Sequence, residues 1–181
     1  MMITVCGKPG SGKSTLARHL AKKFHYRFVS IGDLVRKLGK KMGLSVLEIS
    51  KLAEKDKKID KMIDSYHLKY KHKDNIVMDS RIAFHFFPKS LKIFLTSRPE
   101  FAARRILSAK RSSEKARSYS EILGEIKERT LVERRRYKKT YNVDIFDPKN
   151  YDIIIDTSNI GINEMECIAE TAIRKVLGKS P

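Results

Sequence analysis

The feature that most constrains this chain is a glycine-rich segment near its start, GKPGSGKS at residues 7–14, which matches G-x-x-x-x-G-K-[S/T] at every fixed position. An apolar run, ITVC, precedes it and an amphipathic run, STLARHLAKKF, overlaps its end and continues beyond it. Glycines let the backbone curl so that N–H groups point at phosphate oxygens, and a helix that starts near Lys13 adds its positive dipole end. The segment predicts a phosphate-binding loop in which Lys13 reaches the β- and γ-phosphates and Ser14 binds Mg²⁺.

Five short apolar runs alternate with longer helical patterns, which is typical of an α/β fold. Their cores are continuous rather than alternating, so we expect strands buried on both faces of a parallel sheet that is sandwiched by helices. A chain of 181 residues is long enough for one domain of this kind. The predicted strands are Met2–Cys6, Arg27–Ser30, Asn75–Asp79, Leu91–Leu95 and Tyr151–Asp156.

Helix boundaries are marked by several local signals. Three serines are each followed three residues later by a glutamate, which is the pattern of a capping box. Asp33 is predicted to cap the helix after the second strand, and Pro99 to lie in the first turn of a later helix. Gly43 and Gly178 are placed at helix ends. The three boxes are Ser45-x-x-Glu48, Ser97-x-x-Glu100 and Ser118-x-x-Glu121.

Charge narrows the class of partner. The 39 Lys and Arg exceed the 21 Asp and Glu by 18, which favours a partner rich in phosphate. No run approaches the roughly 20 apolar residues that span a bilayer, and the first residues do not have the pattern of a signal peptide, so we expect no membrane association. Two cysteines, Cys6 and Cys167, make no disulfide framework; we expect both to be buried in a protein of the reducing cytoplasm.

The residues that follow the second and third strands are candidates for binding a second phosphate. Ligands of parallel sheets gather outside the carboxyl ends of the strands, where Asp79 and Arg81 follow the run IVM. Asp79 is a candidate Mg²⁺ ligand and Arg81 a candidate for the acceptor phosphate. Arg36, one turn after Asp33, is a further phosphate donor. The alternatives are a surface ion pair between Asp79 and Arg81 and a capped helix with an exposed arginine.

A long helix predicted from Ser118 carries further arginines. Arg129 and Arg136 lie seven residues apart and share one face, with Glu133 between them. Arg105 ends the preceding helix, and the basic stretch between the helices, residues 109–117, is predicted to be a mobile excursion. Arginines brought in by closure would stabilise the charge of a transferring phosphoryl group, whereas the alternative is a solvated charged helix.

With these motifs in order, the chain resembles the nucleoside monophosphate kinases, and most closely the archaeal-type cytidylate kinases. The resemblance covers nearly the whole chain. It depends on GKPGSGKST, on the block FVSIGDLVRKLGKKMGLSVLEISKLAEKDKKIDKMID, and on NIVMDSR, EIKERTLVERRRYKKTYNVDI and YDIIIDTS. It implies transfer of phosphate from ATP to CMP or dCMP with Mg²⁺. It also implies a five-stranded parallel sheet, a helical acceptor-binding segment over residues 31–73 and a lid over residues 106–120, within one domain.

The resemblance also implies roles for individual residues. Ser30, Asp33 and Arg36 face the monophosphate, Arg81 binds its phosphate, and three arginines act at the transferring phosphate. Ser14, from the loop motif, and Asp79, from the end of the third strand, are the candidate metal ligands. The three arginines are Arg105, Arg129 and Arg136; the residues at the ATP phosphates are Gly7, Lys8, Pro9, Gly10, Ser11, Gly12, Lys13, Ser14 and Thr15.

Three departures from the family pattern leave rivals open. The family more often has E-G-R where this chain has Asp79-Ser80-Arg81, and Thr130 stands where many relatives carry an acidic residue that some use on the cytosine amino group. The aromatic stretch 84–88 is similar to an H-x-F-P stretch of small adenylate-kinase-like ATPases linked to ribosome maturation. The rivals are an adenylate-kinase-like enzyme and an RNA- or ribosome-associated ATPase, and the net charge of +18 and the lysines from Lys51 to Lys73 also favour the ATPase. With no RNA-binding motif present, we expect no specific nucleic-acid partner and a monomer.

Overall fold

The structure, a computed structural model, describes residues 1–108 and 118–178. Its centre is a five-stranded sheet in which every paired strand runs parallel, in the order β2-β3-β1-β4-β5. The predicted α/β class and parallel sheet are confirmed, and each predicted strand is found within two residues of its expected ends. The strands are β1 (Met2–Gly7), β2 (Arg27–Ser30), β3 (Ile76–Asp79), β4 (Leu91–Thr96) and β5 (Ile153–Asp156).

Helices cover both faces of the sheet, and three of them form a group between β2 and β3. That group, α2 to α4, falls within the segment 31–73 to which the sequence assigns the acceptor. The nine residues of the predicted mobile stretch 109–117 lie outside the described residues, as does most of the predicted lid. The helices are α1 (Lys13–Lys23), α2 (Ile31–Met42), α3 (Val46–Lys55), α4 (Lys57–Leu68), α5 (Ala83–Phe86), α6 (Pro99–Ser108), α7 (Tyr119–Tyr141) and α8 (Ile162–Val176).

Burial follows the position of each strand in the sheet. The central strand β1 is buried along its whole length, as predicted for a strand covered on both faces. The prediction of continuous burial is wrong for the two edge strands, β2 and β5. In β5, buried and exposed residues alternate, and Ile154 is 47% exposed. An edge strand receives fewer helices, so one of its faces remains open to solvent. None of the helices formed by the described residues is both long and apolar enough to cross a bilayer.

Two of the three predicted capping boxes are present, at Ser45 and Ser118, with both reciprocal hydrogen bonds formed in each. The third is wrong. Helix α6 begins at Pro99, so Arg98 rather than Ser97 precedes it, and the Ser97 hydroxyl donates to the Arg98 carbonyl instead. Pro99 is in the first turn, as predicted, because a first-turn residue needs no N–H partner.

Two further local predictions are wrong. Helix α2 is capped by Ser30, whose Oγ accepts from the Asp33 N–H at 3.1 Å, so Asp33 lies inside the first turn rather than at the cap. Cys167 is exposed on α8, whereas Cys6 is buried as predicted. Gly43 ends α2 with φ 67°, a left-handed conformation that glycine adopts without strain.

Candidate active site

The loop between β1 and α1 has the backbone of a phosphate cradle. Gly10 and Gly12 have φ of 73° and 87°, and a Cβ at Gly10 would come within 2.7 Å of the Ala102 Cβ. Helix α1 begins at Lys13. Its first turn contains no acidic residue, and among the described residues no side chain caps it. Its first N–H groups and its positive dipole end therefore face the loop, where an anion would be stabilised.

Three polar side chains meet where β1 and β3 end. Ser14 Oγ donates to Asp79 Oδ2 at 2.5 Å, and Lys13 Nζ lies 3.9 Å from Asp79 Oδ1. Asp79 is almost fully buried, and its Oδ1 has no hydrogen-bond partner among the described residues. A hydroxyl beside a carboxylate with a free oxygen is a donor set that suits Mg²⁺, which prefers oxygen ligands. Ser14 and Asp79 therefore fit the predicted metal site.

Lys13 stands in an unusual electrostatic environment. Burial, followed by the positive charge of Arg81, lowers the pKa of Lys13 to about 8, and the carboxylate of Asp79 opposes that change. The protein therefore compensates the positive charge of Lys13 only in part, and additional negative charge nearby would stabilise it. The phosphates of a nucleotide would supply that negative charge.

Arg81 and Arg129 converge on one buried carboxylate. Arg81 Nε lies 2.7 Å from Glu133 Oε2, and Arg129 Nε donates to Glu133 Oε1 at 2.8 Å. Arg81 is 8% exposed, and none of its three guanidinium nitrogens makes an aligned hydrogen bond within the described residues. The guanidinium has five N–H donors and a single ion-pair contact, so it can still bind an anion. The surface ion pair between Asp79 and Arg81 that the sequence left open is not formed.

Glu133 is held ionised by its neighbours. Burial alone would raise its pKa, but the charges of Arg81 and Arg129 outweigh burial and lower the pKa of Glu133 to about 2. Lys13 contributes in the same direction. The four residues thus form one electrostatic cluster with Asp79, at the carboxyl end of the sheet where the loop begins.

The residues expected at the acceptor lie beside this cluster. Ser30 Oγ lies 3.5 Å from Asp79 Oδ2, which brings the start of α2 next to the metal ligands. Asp33 and Arg36, one turn into α2, form an ion pair at 2.5 Å, and both are partly exposed. Burial by itself would raise the pKa of Asp33, but the neighbouring guanidinium of Arg36 outweighs burial and lowers that pKa. The expected exposed arginine therefore has a carboxylate partner within its own helix.

Arg136 occupies a different environment from Arg129. It is 3% exposed and its guanidinium donates to Asp60 of α4, a carboxylate that is itself 2% exposed. Tyr141, further along α7, donates to Asp64 at 2.7 Å. Helix α7 is therefore fastened to α4 by a buried polar cluster. The assignment of Arg136 to the transferring phosphate stays a prediction, and it requires Arg136 to exchange partners.

Arg105 is also engaged with the protein. Its guanidinium donates to the carbonyl oxygens of Thr157 and Ile160 and to the Thr157 hydroxyl, in the loop that follows β5. These contacts join the end of α6 to the far side of the sheet from Arg36. The predicted role of Arg105 at the transferring phosphate is likewise untested and needs the side chain to leave this loop.

Sequence reasoning missed two features near the site. A cavity of about 330 Å³, lined by Pro9, Pro99, Ile126 and Thr130 among others, separates the phosphate loop from α7. The second is His67, whose ring is fully buried and stacks on Phe86 with centroids 4.6 Å apart. The sequence gives no signal for His67, because nothing in the spacing along α4 distinguishes a buried histidine from a surface one. The aromatic stretch 84–88 supplies much of that packing.

The sequence and the fold were compared with known proteins. The model of the cytidylate kinase-like family matches residues 2–159. A cytidylate kinase of Methanothrix thermoacetophila is 40% identical over 174 residues, which are 96% of this chain and 98% of that one. A cytidylate kinase of Pyrobaculum islandicum is 37% identical over 180 residues, covering 98% and 95% of the two chains.

Solved structures agree on the fold at low sequence identity. A shikimate kinase of Bacteroides thetaiotaomicron superposes with a TM-score of 0.64 at 15% identity and covers 98% of each chain. A shikimate kinase of Aquifex aeolicus gives a TM-score of 0.57 at 22% identity, covering 98% of this chain and 99% of that one. At these identities the likeness establishes a shared kinase fold and nothing about the substrate.

Proposed function

The chain belongs to the cytidylate kinase-like family, and from this premise we propose that it transfers the γ-phosphoryl group of ATP to CMP or dCMP. Curated relatives that share 31–40% of their residues with it over nearly its full length carry the name cytidylate kinase. The observation that carries the proposal is that Lys13, Arg81 and Arg129 gather around the buried carboxylates of Asp79 and Glu133, beside the phosphate loop. Three cations at one point suit two phosphorylated ligands that meet there.

The reaction needs no covalent intermediate on the protein. An oxygen of the acceptor phosphate attacks the γ-phosphorus, a new P–O bond forms, and the bond to the β,γ-bridging oxygen breaks to release ADP. The acceptor phosphate is already anionic, so no general base is needed. Catalysis then consists of positioning and of neutralising the charge that spreads over the equatorial oxygens. Lys13 and Arg129 would act on the transferring group, and Arg81 on the acceptor phosphate.

Mg²⁺ fits the donor set formed by Ser14 and Asp79. When bound, it would neutralise phosphate charge and orient the oxygens of ATP. The Ser14 hydroxyl donates to Asp79, so both oxygen donors lie side by side next to the loop. The backbone N–H groups over residues 7–15 would hold the ATP phosphates.

The acceptor would bind between the loop and the helices of segment 31–73. Ser30, Asp33 and Arg36 line the start of that segment, next to Asp79. Segment 106–120 would act as the lid of the same domain, and we propose that the enzyme acts as a monomer in the cytoplasm. Thr130 lines the cavity beside Pro9 and donates to the Ile126 carbonyl. Its hydroxyl is neutral, so Thr130 offers a cytosine amino group no carboxylate.

A coupled assay of ADP formation against CMP, dCMP, UMP and AMP in parallel tests the proposal. We expect the highest kcat/KM with CMP or dCMP and little ADP without an acceptor. A preference for AMP would instead identify an adenylate kinase. ADP formation that needs no nucleotide acceptor and rises with added RNA would identify an ATPase, and filter binding of RNA at two salt concentrations would then show a steep salt dependence.

A further inference from the structure

A buried histidine on α4 is linked to the segment that carries two of the site residues. His67 has no solvent exposure, and its Nε2 lies 2.8 Å from the Oγ of Ser80. Ser80 stands between Asp79 and Arg81. Buried hydrogen bonds of this kind contribute most to folding stability when every donor and acceptor has a partner, and a buried group left without one lowers the stability.

The second nitrogen of the ring fixes the tautomer. Nδ1 of His67 lies 3.0 Å from the Ile63 carbonyl oxygen, which only accepts, so Nδ1 carries the proton. Nε2 is then an acceptor and the Ser80 hydroxyl donates to it. The neutral ring is also the form that burial favours, and burial lowers the pKa of His67 to about 4.

The Ser80 hydroxyl does more than satisfy the histidine. Its oxygen accepts from the Ile82 N–H at 3.3 Å, while the Ser80 N–H donates to the Val5 carbonyl at 3.2 Å. Ser80 therefore fixes the backbone on both sides of Arg81 after β3 ends. Arg81 needs such support, because its guanidinium is buried with one carboxylate contact and no aligned hydrogen bond among the described residues.

We propose that His67 and Ser80 are positioning residues for phosphoryl transfer: their hydrogen bond sets the turn that aims Arg81 at the acceptor phosphate and ties that turn to the acceptor-binding helices. The proposal rests on the proposed function. It depends on the serine, because a glycine at position 80 would have no hydroxyl to donate. Neither residue contacts the reacting atoms, so each acts through Arg81.

Two substitutions of His67 separate its two hydrogen bonds. In His67→Gln the side-chain amide oxygen lies where Nε2 was and can still accept from Ser80. In His67→Asn the amide nitrogen lies where Nδ1 was and keeps only the bond to the Ile63 carbonyl. Both lose the stacking of the imidazole ring on Phe86, so the two variants differ mainly in which of the two hydrogen bonds they keep.

The matched control is Ser90→Ala. Ser90 is also buried and has two partners, with its hydroxyl 3.1 Å from Thr4 Oγ1 and donating to the Phe87 carbonyl at 2.7 Å, but it lies at the amino end of β4. Its loss removes a buried pair of hydrogen bonds at the amino ends of the strands, whereas the site lies at their carboxyl ends. Thermal midpoints of all variants give the structural cost of each change.

Steady-state rates are then measured with the acceptor that the wild type uses best. We expect kcat/KM for the acceptor to fall about tenfold in Ser80→Ala and in His67→Asn, with the KM for ATP nearly unchanged. His67→Gln should retain at least about a third of the wild-type value, and the double change Ser80→Ala with His67→Asn should cost no more than either alone. Ser90→Ala should lower only the thermal midpoint.

The inference is overturned if Ser80→Ala and His67→Asn behave as Ser90→Ala does, or if His67→Gln is as impaired as His67→Asn. If the wild type phosphorylates none of the four nucleotides, the proposed function fails by itself. The variants are then compared by the rise in thermal midpoint that inorganic phosphate produces without turnover, and Arg81→Ala shows how much of that rise comes from the phosphate loop rather than from Arg81. A smaller rise in Ser80→Ala than in Ser90→Ala supports the positioning role, and equal rises refute it.

Discussion

Replacing Glu133 by glutamine tests the electrostatic account of the site most directly. Glutamine keeps the shape of the side chain but removes the charge that Arg81 and Arg129 share at 2.7 and 2.8 Å. The pKa of Glu133 falls from an ordinary 4.5 to about 2. At about 1.4 kcal/mol per pH unit, this difference corresponds to roughly 3 kcal/mol in favour of the ionised form. A neutral glutamine gives up that contribution and leaves the buried guanidinium of Arg81 without its ion-pair partner, while Arg129 keeps only the charge of Glu125.

The assay is urea denaturation at pH 7 with the nucleotide-free protein. We expect Glu133→Gln to lower the free energy of unfolding by about 3 kcal/mol. Glu54→Gln is the control. Glu54 of α3 pairs with Arg135 of α7 near the surface, and loss of that pair should change the free energy of unfolding little. Inorganic phosphate should stabilise Glu133→Gln more than the wild type, because the arginines there lack a carboxylate.

The reasoning is refuted if Glu133→Gln unfolds within about 1 kcal/mol of the wild type, which is the usual range of an exposed pair. It is also refuted if phosphate stabilises both proteins equally. The pH dependence gives a second check. A carboxyl group whose folded pKa is lowered contributes its stability above pH 4.5 and loses it as the pH falls toward 2, so the gap between the two proteins should close over that interval.

Three further predictions concern other parts of the molecule. Lys13→Ala should lose most turnover, whereas Lys23→Ala, at the other end of α1, should not; rates for Lys13→Ala within a few-fold of wild type would contradict the role of Lys13. Asp60→Asn should cost about 3–5 kcal/mol in urea denaturation because it leaves Arg136 buried and unpaired, and a cost near zero would contradict the pair. Because the pKa of His67 is lowered from 6.5 to about 4, its neutral form contributes stability that is complete above pH 6.5 and lost as the pH falls toward 4. His67→Gln should show a smaller loss of unfolding free energy over that interval, and an equal loss would contradict the assignment.

The parts of the fold that local sequence determines could be predicted. The phosphate loop is specified by glycines whose conformation other residues resist, and the strand cores by apolar runs of the right length. The capping boxes at Ser45 and Ser118 are local as well. Ser97 shows the limit: Pro99 fixes where α6 begins, and one residue of offset is enough to move a serine away from the capping position.

The parts that depend on tertiary contacts could not be predicted from spacing. Arg129 and Arg136 share a face of α7, yet only Arg129 meets Glu133, because Arg136 is opposite a carboxylate that α4 supplies 76 residues earlier in the chain. Edge strands look like central strands in sequence, since the number of helices that cover them is a property of the sheet order. The hydrogen bond between His67 and Ser80 joins helix α4 to the residue that follows β3, and no pattern along the chain indicates that these two elements pack together.

Helix α7 is continuous over 23 residues, or about 34 Å, and its contacts demand a fixed rotational phase. Arg129 and Glu133 face the electrostatic cluster beside the phosphate loop, while Arg136 and Tyr141 hydrogen-bond to carboxylates of α4. One residue inserted between Glu133 and Arg136 would rotate everything beyond it by about 100° and detach α4 from the helix that carries Arg129. Seven inserted residues would nearly restore the angle but add about 10 Å of length. The number of residues between Glu133 and Arg136 is therefore constrained as strictly as the two residues themselves, and this stretch of α7 accepts no change in its length.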